Sequence, residues 1–337
     1  MYESFFGFRE RPFDLSPDPR YLVFTDAHRE ALSNLQYAIA SRKGISLLIG
    51  EAGTGKTTII RAAIERQPDR AYCVHLQNPA LSRAEFIEML AARFELGDRP
   101  TTSKTALLME MEALLTTRRA RGEATVLIID EAQALPLELL EEIRLLANIE
   151  TDQQKLLTVI LAGQPELADR LNEKSLRQLK QRIALRCELG PLTLQESCGY
   201  IAGRIRAAGG VGSQTFTREA VMLIHERAAG IPRTLNVIAD NALLNGFAME
   251  QRPVTSKTVL EVCDDLDLRT DASSAPPPRA AVRPTPAEPA RSNRLITFEP
   301  TPASSAGGTA DPTEEIERGP RLLDTGTTPK RRRFSIF

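Results

Sequence analysis

The chain predicts an α/β fold: a parallel sheet flanked by helices, then a small all-helical domain and a disordered C-terminal tail. Three observations lead there. Short apolar runs at about 45–49, 71–76, 125–130 and 156–162 alternate with segments of helical periodicity. That alternation is the pattern of a parallel sheet joined by crossover helices. From Thr193 the pattern becomes purely helical, and after Leu268 the composition shifts to Pro, Ala, Ser, Thr and Gly. Such a stretch cannot bury enough apolar surface to offset the entropy of ordering.

Residues 1–25 hold Phe5, Phe6, Phe8, Pro12, Phe13, Pro17, Pro19, Tyr21 and Phe24. The prolines predict an extended arm, and the aromatics predict that it packs on the domain that follows. A helix is expected at about 26–42, with Asp26 as N-cap. After a strand at 71–76 come helices at about 82–94 and 105–119, broken by Gly97-Asp98-Arg99-Pro100. The run at 125–130 reads as a strand buried on both faces. Pro136 suits the first position of the next helix. Strand 156–162 is followed by helical patterns at about 165–171 and 175–183 and a short strand near 185–189. Helices at about 194–207, 217–228, 232–249 and 255–266 make the second domain. The expected organisation is an arm at 1–25, an α/β domain at 26–190, a helical domain at 191–268 and a tail at 269–337.

The chemistry is organised around Gly50-Glu51-Ala52-Gly53-Thr54-Gly55-Lys56-Thr57, with Thr58 following. It sits between an apolar strand and a helical pattern, the context in which a phosphate loop works. Its glycines let successive N–H groups point at an anion, and the helix start adds partial positive charge. Lys56 is expected to reach the β- and γ-phosphates and Thr57 to hold Mg²⁺. Asp130-Glu131 ends the buried strand. Asp130 would hold Mg²⁺ and Glu131 would orient and deprotonate a water, provided that strand neighbours the loop. Gln164 follows the next strand, where an amide contacts either the γ-phosphate, the attacking water or only local backbone. Arg177 and Arg182 precede the last strand. One of them could act on a neighbouring subunit's nucleotide, with Arg182 favoured. Arg233 follows Gly230-Ile231-Pro232 at a helix start, placed to touch the γ-phosphate as the helical domain closes.

Composition narrows the class. The 337 residues carry 42% hydrophobic and 26% charged side chains and a net charge of -1. There is no global basic field to demand nucleic acid. No apolar run approaches the ~20 residues of a membrane span. The charged N-terminus is unlike a signal peptide, so a cytoplasmic location is expected. Cys73, Cys187, Cys198 and Cys263 lack metal-ligand spacing, and His28, His75 and His225 read as isolated.

These motifs together resemble the AAA+ ATPases. More narrowly, three stretches resemble the general secretion pathway protein A group (ExeA-like ATPases) and the exosortase-associated ATPases. They are Tyr2-Glu3-Ser4-Phe5-Phe6-Gly7-Phe8 with Pro12-Phe13 and Ser16-Pro17-Asp18-Pro19; Ala162-Gly163-Gln164-Pro165-Glu166-Leu167; and Gly230-Ile231-Pro232-Arg233-Thr234-Leu235-Asn236. The resemblance covers about residues 1–268. It implies ATP and Mg²⁺ as ligands, an ATP-dependent homo-oligomer with hydrolysis at subunit interfaces, and a helical lid. Secretion-pathway members continue into a membrane span and a wall-binding domain, and this chain is expected to carry neither. The leading expectation is a role in bacterial envelope export: secretion, pilus or exopolysaccharide assembly. Similar cores also serve DNA-bound transposition or replication regulators, and a nucleotide switch with little turnover is a third option. The end Lys330-Arg331-Arg332-Arg333-Phe334-Ser335-Ile336-Phe337 pairs cations with apolar side chains. It suits an anionic inner-membrane surface or a membrane-bound partner, with DNA less favoured.

Overall fold

Short, mainly apolar runs become the centre of the sheet. The computed structural model describes residues 1–15, 25–66, 71–77, 81–97, 103–151 and 154–268. The strands are β1 (Ile45–Gly50), β2 (Ala71–Leu76), β3 (Ala124–Ile129), β4 (Leu157–Gly163) and β5 (Ile183–Leu189). They pair in parallel in the order β2-β3-β4-β1-β5. Every residue of β1 and β4 is buried, as a doubly covered parallel sheet requires.

The helices are α1 (Tyr2–Phe6), α2 (Asp26–Ala40), α3 (Lys56–Glu65), α4 (Arg83–Arg93), α5 (Lys104–Ala120), α6 (Leu137–Leu146), α7 (Pro165–Arg170), α8 (Arg177–Lys180), α9 (Leu194–Ala207), α10 (Gly212–Thr215), α11 (Arg218–Ala228), α12 (Pro232–Ala248) and α13 (Ser256–Asp265). Alternate strand residues face opposite layers. Leu48, Val126, Ile128 and Ile160 pack with Leu35 and Ile39 of α2 and Ile59 and Ile60 of α3. Leu47, Leu127, Ile129 and Val159 pack with Phe86 of α4, Met111 of α5 and Ile143 of α6. Helices α9 to α13 enclose a third core around Ile201, Ile224, Leu235, Ile238 and Leu243.

Several expectations are corrected. The arm is not wholly extended: residues 2–6 form α1, closed by Gly7 at φ 77. Its aromatics among the described residues pack on the helical part, not on the sheet. Tyr2, Phe6, Phe8 and Phe13 join the core of α9 to α13. Arg204 of α9 fixes the arm by donating to Pro12 O at 2.6 Å and to Asp14 O at 2.9 Å. The α2 N-cap is Thr25, whose hydroxyl accepts from His28 N, with Asp26 one position inside. Pro136 is itself the N-cap of α6. The pattern at 175–183 resolves into a 3₁₀ turn, Lys174–Leu176, and the short α8. Helix α10 was not expected. Residues 16–24 of the arm, Gly97's followers at 98–102 and the tail 269–337 lie outside the described residues.

Candidate functional site

The loop between β1 and α3 takes its shape from its glycines. Gly53 and Gly55 adopt φ of 83° and 99°, values that a Cβ would penalise. Thr54 is fully buried and ties the turn by donating its hydroxyl to Glu51 O at 2.9 Å. Lys56 is buried too, and its ammonium donates to Gly50 O at 2.8 Å and Glu51 O at 3.0 Å. Burial pushes the Lys56 pKa down against the opposing pull of Glu131, Asp130, Glu51 and Glu166. A desolvated cation at a helix start, under the influence of nearby carboxylates, suits a polyanion bound with a metal ion. Thr58 lies in the first turn of α3, half-buried.

Asp130 reaches this loop although its strand is not the neighbour of β1. Strand β4 lies between them, so adjacency is not what joins the two motifs. Thr57 Oγ1 instead donates to Asp130 Oδ2 at 2.6 Å, spanning the end of β4. Two hard oxygen groups held together suit Mg²⁺. Glu131 follows in the left-handed region at φ 54, its N–H donating to Asp130 Oδ1 at 3.0 Å.

Gln164 is the N-cap of α7, and its side-chain amide points to Glu131 Oε2 at 3.4 Å. Arg233 begins α12. Its N–H donates to Gly53 O at 3.2 Å, and a Cβ on Gly53 would come within 2.6 Å of Arg233 Cβ. The helical part therefore touches the loop through Ile231 and Arg233. Arg177 and Arg182 are not brought there. The parallel register sets Ile45 beside Ile183 and Gly50 beside Leu189. Arg182 thus lies at the far end of the sheet, about 20 Å from the loop by strand rise.

Two residues outside the motif-based expectations complete the arrangement. Gln133 donates to Glu131 Oε2 at 2.6 Å, and its own Oε1 accepts from Gln164 N at 3.1 Å. Gly163 leaves room for it, since a Cβ there would meet Gln133 Oε1 at 2.8 Å. His28 is buried between Thr25 and the Thr54 carbonyl. No sequence motif marks either one: Gln133 stands two residues after Glu131, and His28 three residues after Thr25.

Comparison with known proteins bears on the family and the fold. A family profile described as an AAA domain matches residues 39–171. General secretion pathway protein A of Aeromonas hydrophila is 40% identical over 248 residues, covering 74% of this chain and 45% of the relative. The chain thus spans under half the length of that protein. Among solved structures, Drosophila ORC bound to DNA superposes with a TM-score of 0.59 at 19% identity, covering 76% of this chain and 64% of that one. The Aeropyrum pernix ORC2 protein gives 0.58 at 16%, covering 76% and 71%. These two likenesses speak to the fold. The chain is a P-loop protein carrying an AAA domain, homologous over 74% of its length to general secretion pathway protein A.

Proposed function

We propose that the chain binds ATP with Mg²⁺ at the phosphate loop and hydrolyses it at contacts between copies of itself. The cycle would drive or regulate assembly of a bacterial envelope export system. The observation that carries the catalytic part is the 2.6 Å contact of Thr57 with Asp130, with Glu131 next in line. Gly50 to Thr58 would cradle the phosphates, and Lys56 would exchange its carbonyl partners for phosphate oxygens. Thr57 and Asp130 fit Mg²⁺, which when bound supplies positive charge at the β- and γ-phosphates. Glu131 orients and deprotonates the attacking water. The amides of Gln133 and Gln164 occupy its Oε2, which leaves its second oxygen for that water. Arg233 reaches the γ-phosphate from the lid, so bound nucleotide favours closure. Arg182, or Arg177 beside it, acts on the nucleotide of another copy, because it lies too far from its own loop.

The export role draws on the name of the secretion-pathway relative. In this reading the chain is cytoplasmic and peripheral at the inner membrane, docked through Lys330–Phe337. No helix among the described residues is long and apolar enough to cross a membrane. Steady-state phosphate release tests the chemistry. Turnover should need Mg²⁺, and Asp130→Ala should remove it. Metal-independent release, or an unaffected Asp130→Ala, would contradict the assignment. Binding without turnover would favour the nucleotide switch. Co-sedimentation with anionic vesicles beside a duplex-DNA titration tests the role. Vesicle binding lost on truncation at Leu268 supports docking through the tail. Tight ATP-dependent DNA binding that survives truncation would favour the transposition-like alternative.

A further inference from the structure

Of the side chains that meet the phosphate loop, His28 has no part in the chemistry above. It is 5% exposed and joins α2 to the loop. Its backbone N–H donates to Thr25 Oγ1 at 3.2 Å, and its Nδ1 lies 2.6 Å from the same oxygen. Its Nε2 lies 3.2 Å from Thr54 O. A carbonyl only accepts, so Nε2 carries a hydrogen. Burial holds the ring's pKa below the ordinary value, against the raising effects of the Thr54 carbonyl and Glu196. In the neutral ring Nδ1 is then an acceptor, and the Thr25 hydroxyl donates to it. Thr25 Oγ1 thus accepts from the His28 backbone N–H and donates to Nδ1, and each ring nitrogen has one partner, which fixes both the tautomer and the ring's direction.

The contact acts on a part of the loop that would otherwise be free to turn. Rotation of the Thr54–Gly55 peptide changes ψ of Thr54 and φ of Gly55, and Gly55 already stands at φ 99°. Glycine resists such a flip weakly. In a trans peptide the C=O and the following N–H point in opposite directions. A flip would turn a carbonyl's negative end on bound phosphate and take the Gly55 N–H away from it. A Cβ at Gly55 would lie 3.4 Å from His28 Nε2, so ring and loop are already in close contact.

We propose that His28 is a positioning residue for phosphate binding: it holds the Thr54 carbonyl outward and thereby keeps the Gly55 N–H turned toward the anion. The inference rests on the phosphate loop being a nucleotide site. The test is equilibrium titration of full-length protein with Mg²⁺-ADP and Mg²⁺-ATP, using wild type, Lys56→Ala, His28→Leu and His28→Gln. Leucine fills the space without a donor, and the glutamine amide can reach the carbonyl. His28→Leu should weaken both nucleotides roughly tenfold, about 1.4 kcal/mol, while kcat at saturating ATP changes less than about threefold. His28→Gln should recover most of the affinity. Thermal melts without nucleotide set the temperature, so that both variants are compared fully folded. The proposal is overturned if His28→Leu binds like wild type while Lys56→Ala does not bind, or if the leucine and glutamine variants are equally weak. A wild type that binds no nucleotide overturns the phosphate-loop reading itself, and this inference with it.

Discussion

Glu131 occupies a backbone region that costs a non-glycine residue about 1–2 kcal/mol, at φ 54. The hydrogen bond from its N–H to Asp130 and the amides of Gln133 and Gln164 hold it there. Removing the shorter amide contact should free the carboxylate to leave its place. Gln133→Ala is therefore expected to lower kcat by about 10- to 100-fold with nucleotide affinity nearly unchanged. Paired binding and turnover measurements check it, and faster turnover would mean that Gln133 restrains rather than positions. His28 gives a pH prediction. Its folded pKa lies below 6.5 because burial disfavours the charged ring, so the unfolded chain takes up the proton first as pH falls. The stabilisation is complete above about pH 6.5 and is lost as pH falls from there through the folded pKa. Urea unfolding across about pH 5–7.5 should show stability rising with pH, with a shallower slope in His28→Gln. His75 is shifted the same way by burial, so some slope should remain.

At the scale of elements, the sequence showed what would be buried more clearly than where. The phosphate loop was legible because its chemistry needs contiguous residues with fixed flanks. Strands β1 to β4 were legible because they are short, mainly apolar runs between turn and helix signals. Strand order was not, since periodicity carries no information on which strands pair, and β4 came to lie between the two motifs. The aromatic arm was recognisable as a buried piece, but hydrophobic burial is non-directional. It chose the core of α9 to α13, where Phe6 and Phe13 are 1% exposed. Phe6→Ala should then cost about 3–5 kcal/mol of stability. Calorimetry should show that loss in the helical part, and an unchanged melt would contradict this packing. The contacts of His28, which reads as isolated, and of Gln133 were not legible because their partners are set by a fold-dependent approach and a side-chain return that no motif encodes. Gly230 stood in a recognised stretch, but its steric reason was not legible: at φ 72, a Cβ added there would meet Leu192 O at 2.2 Å. The glycine lets the turn before α12 lie against the segment that leads into α9.

For the whole molecule, the parallel register of β1 and β5 separates Arg182 from its own phosphate loop by the length of a strand. If Arg182 serves catalysis, a second copy must bring it. Specific activity should rise with protein concentration, and Arg182→Ala should bind ATP yet turn it over slowly. Constant activity at concentrations where light scattering sees only monomer would remove that role. If one loop both binds ATP and, with Glu131, cleaves it, the two functions separate by substitution. The most direct measurement is the identity of the nucleotide that stays on the protein. Wild type, Lys56→Ala and Glu131→Gln are incubated with Mg²⁺-ATP, separated from free nucleotide, denatured and their bound nucleotide resolved by chromatography. Wild type should carry ADP, Glu131→Gln intact ATP and Lys56→Ala neither. ADP on Glu131→Gln at the wild-type level, or nucleotide retained by Lys56→Ala, would contradict that separation.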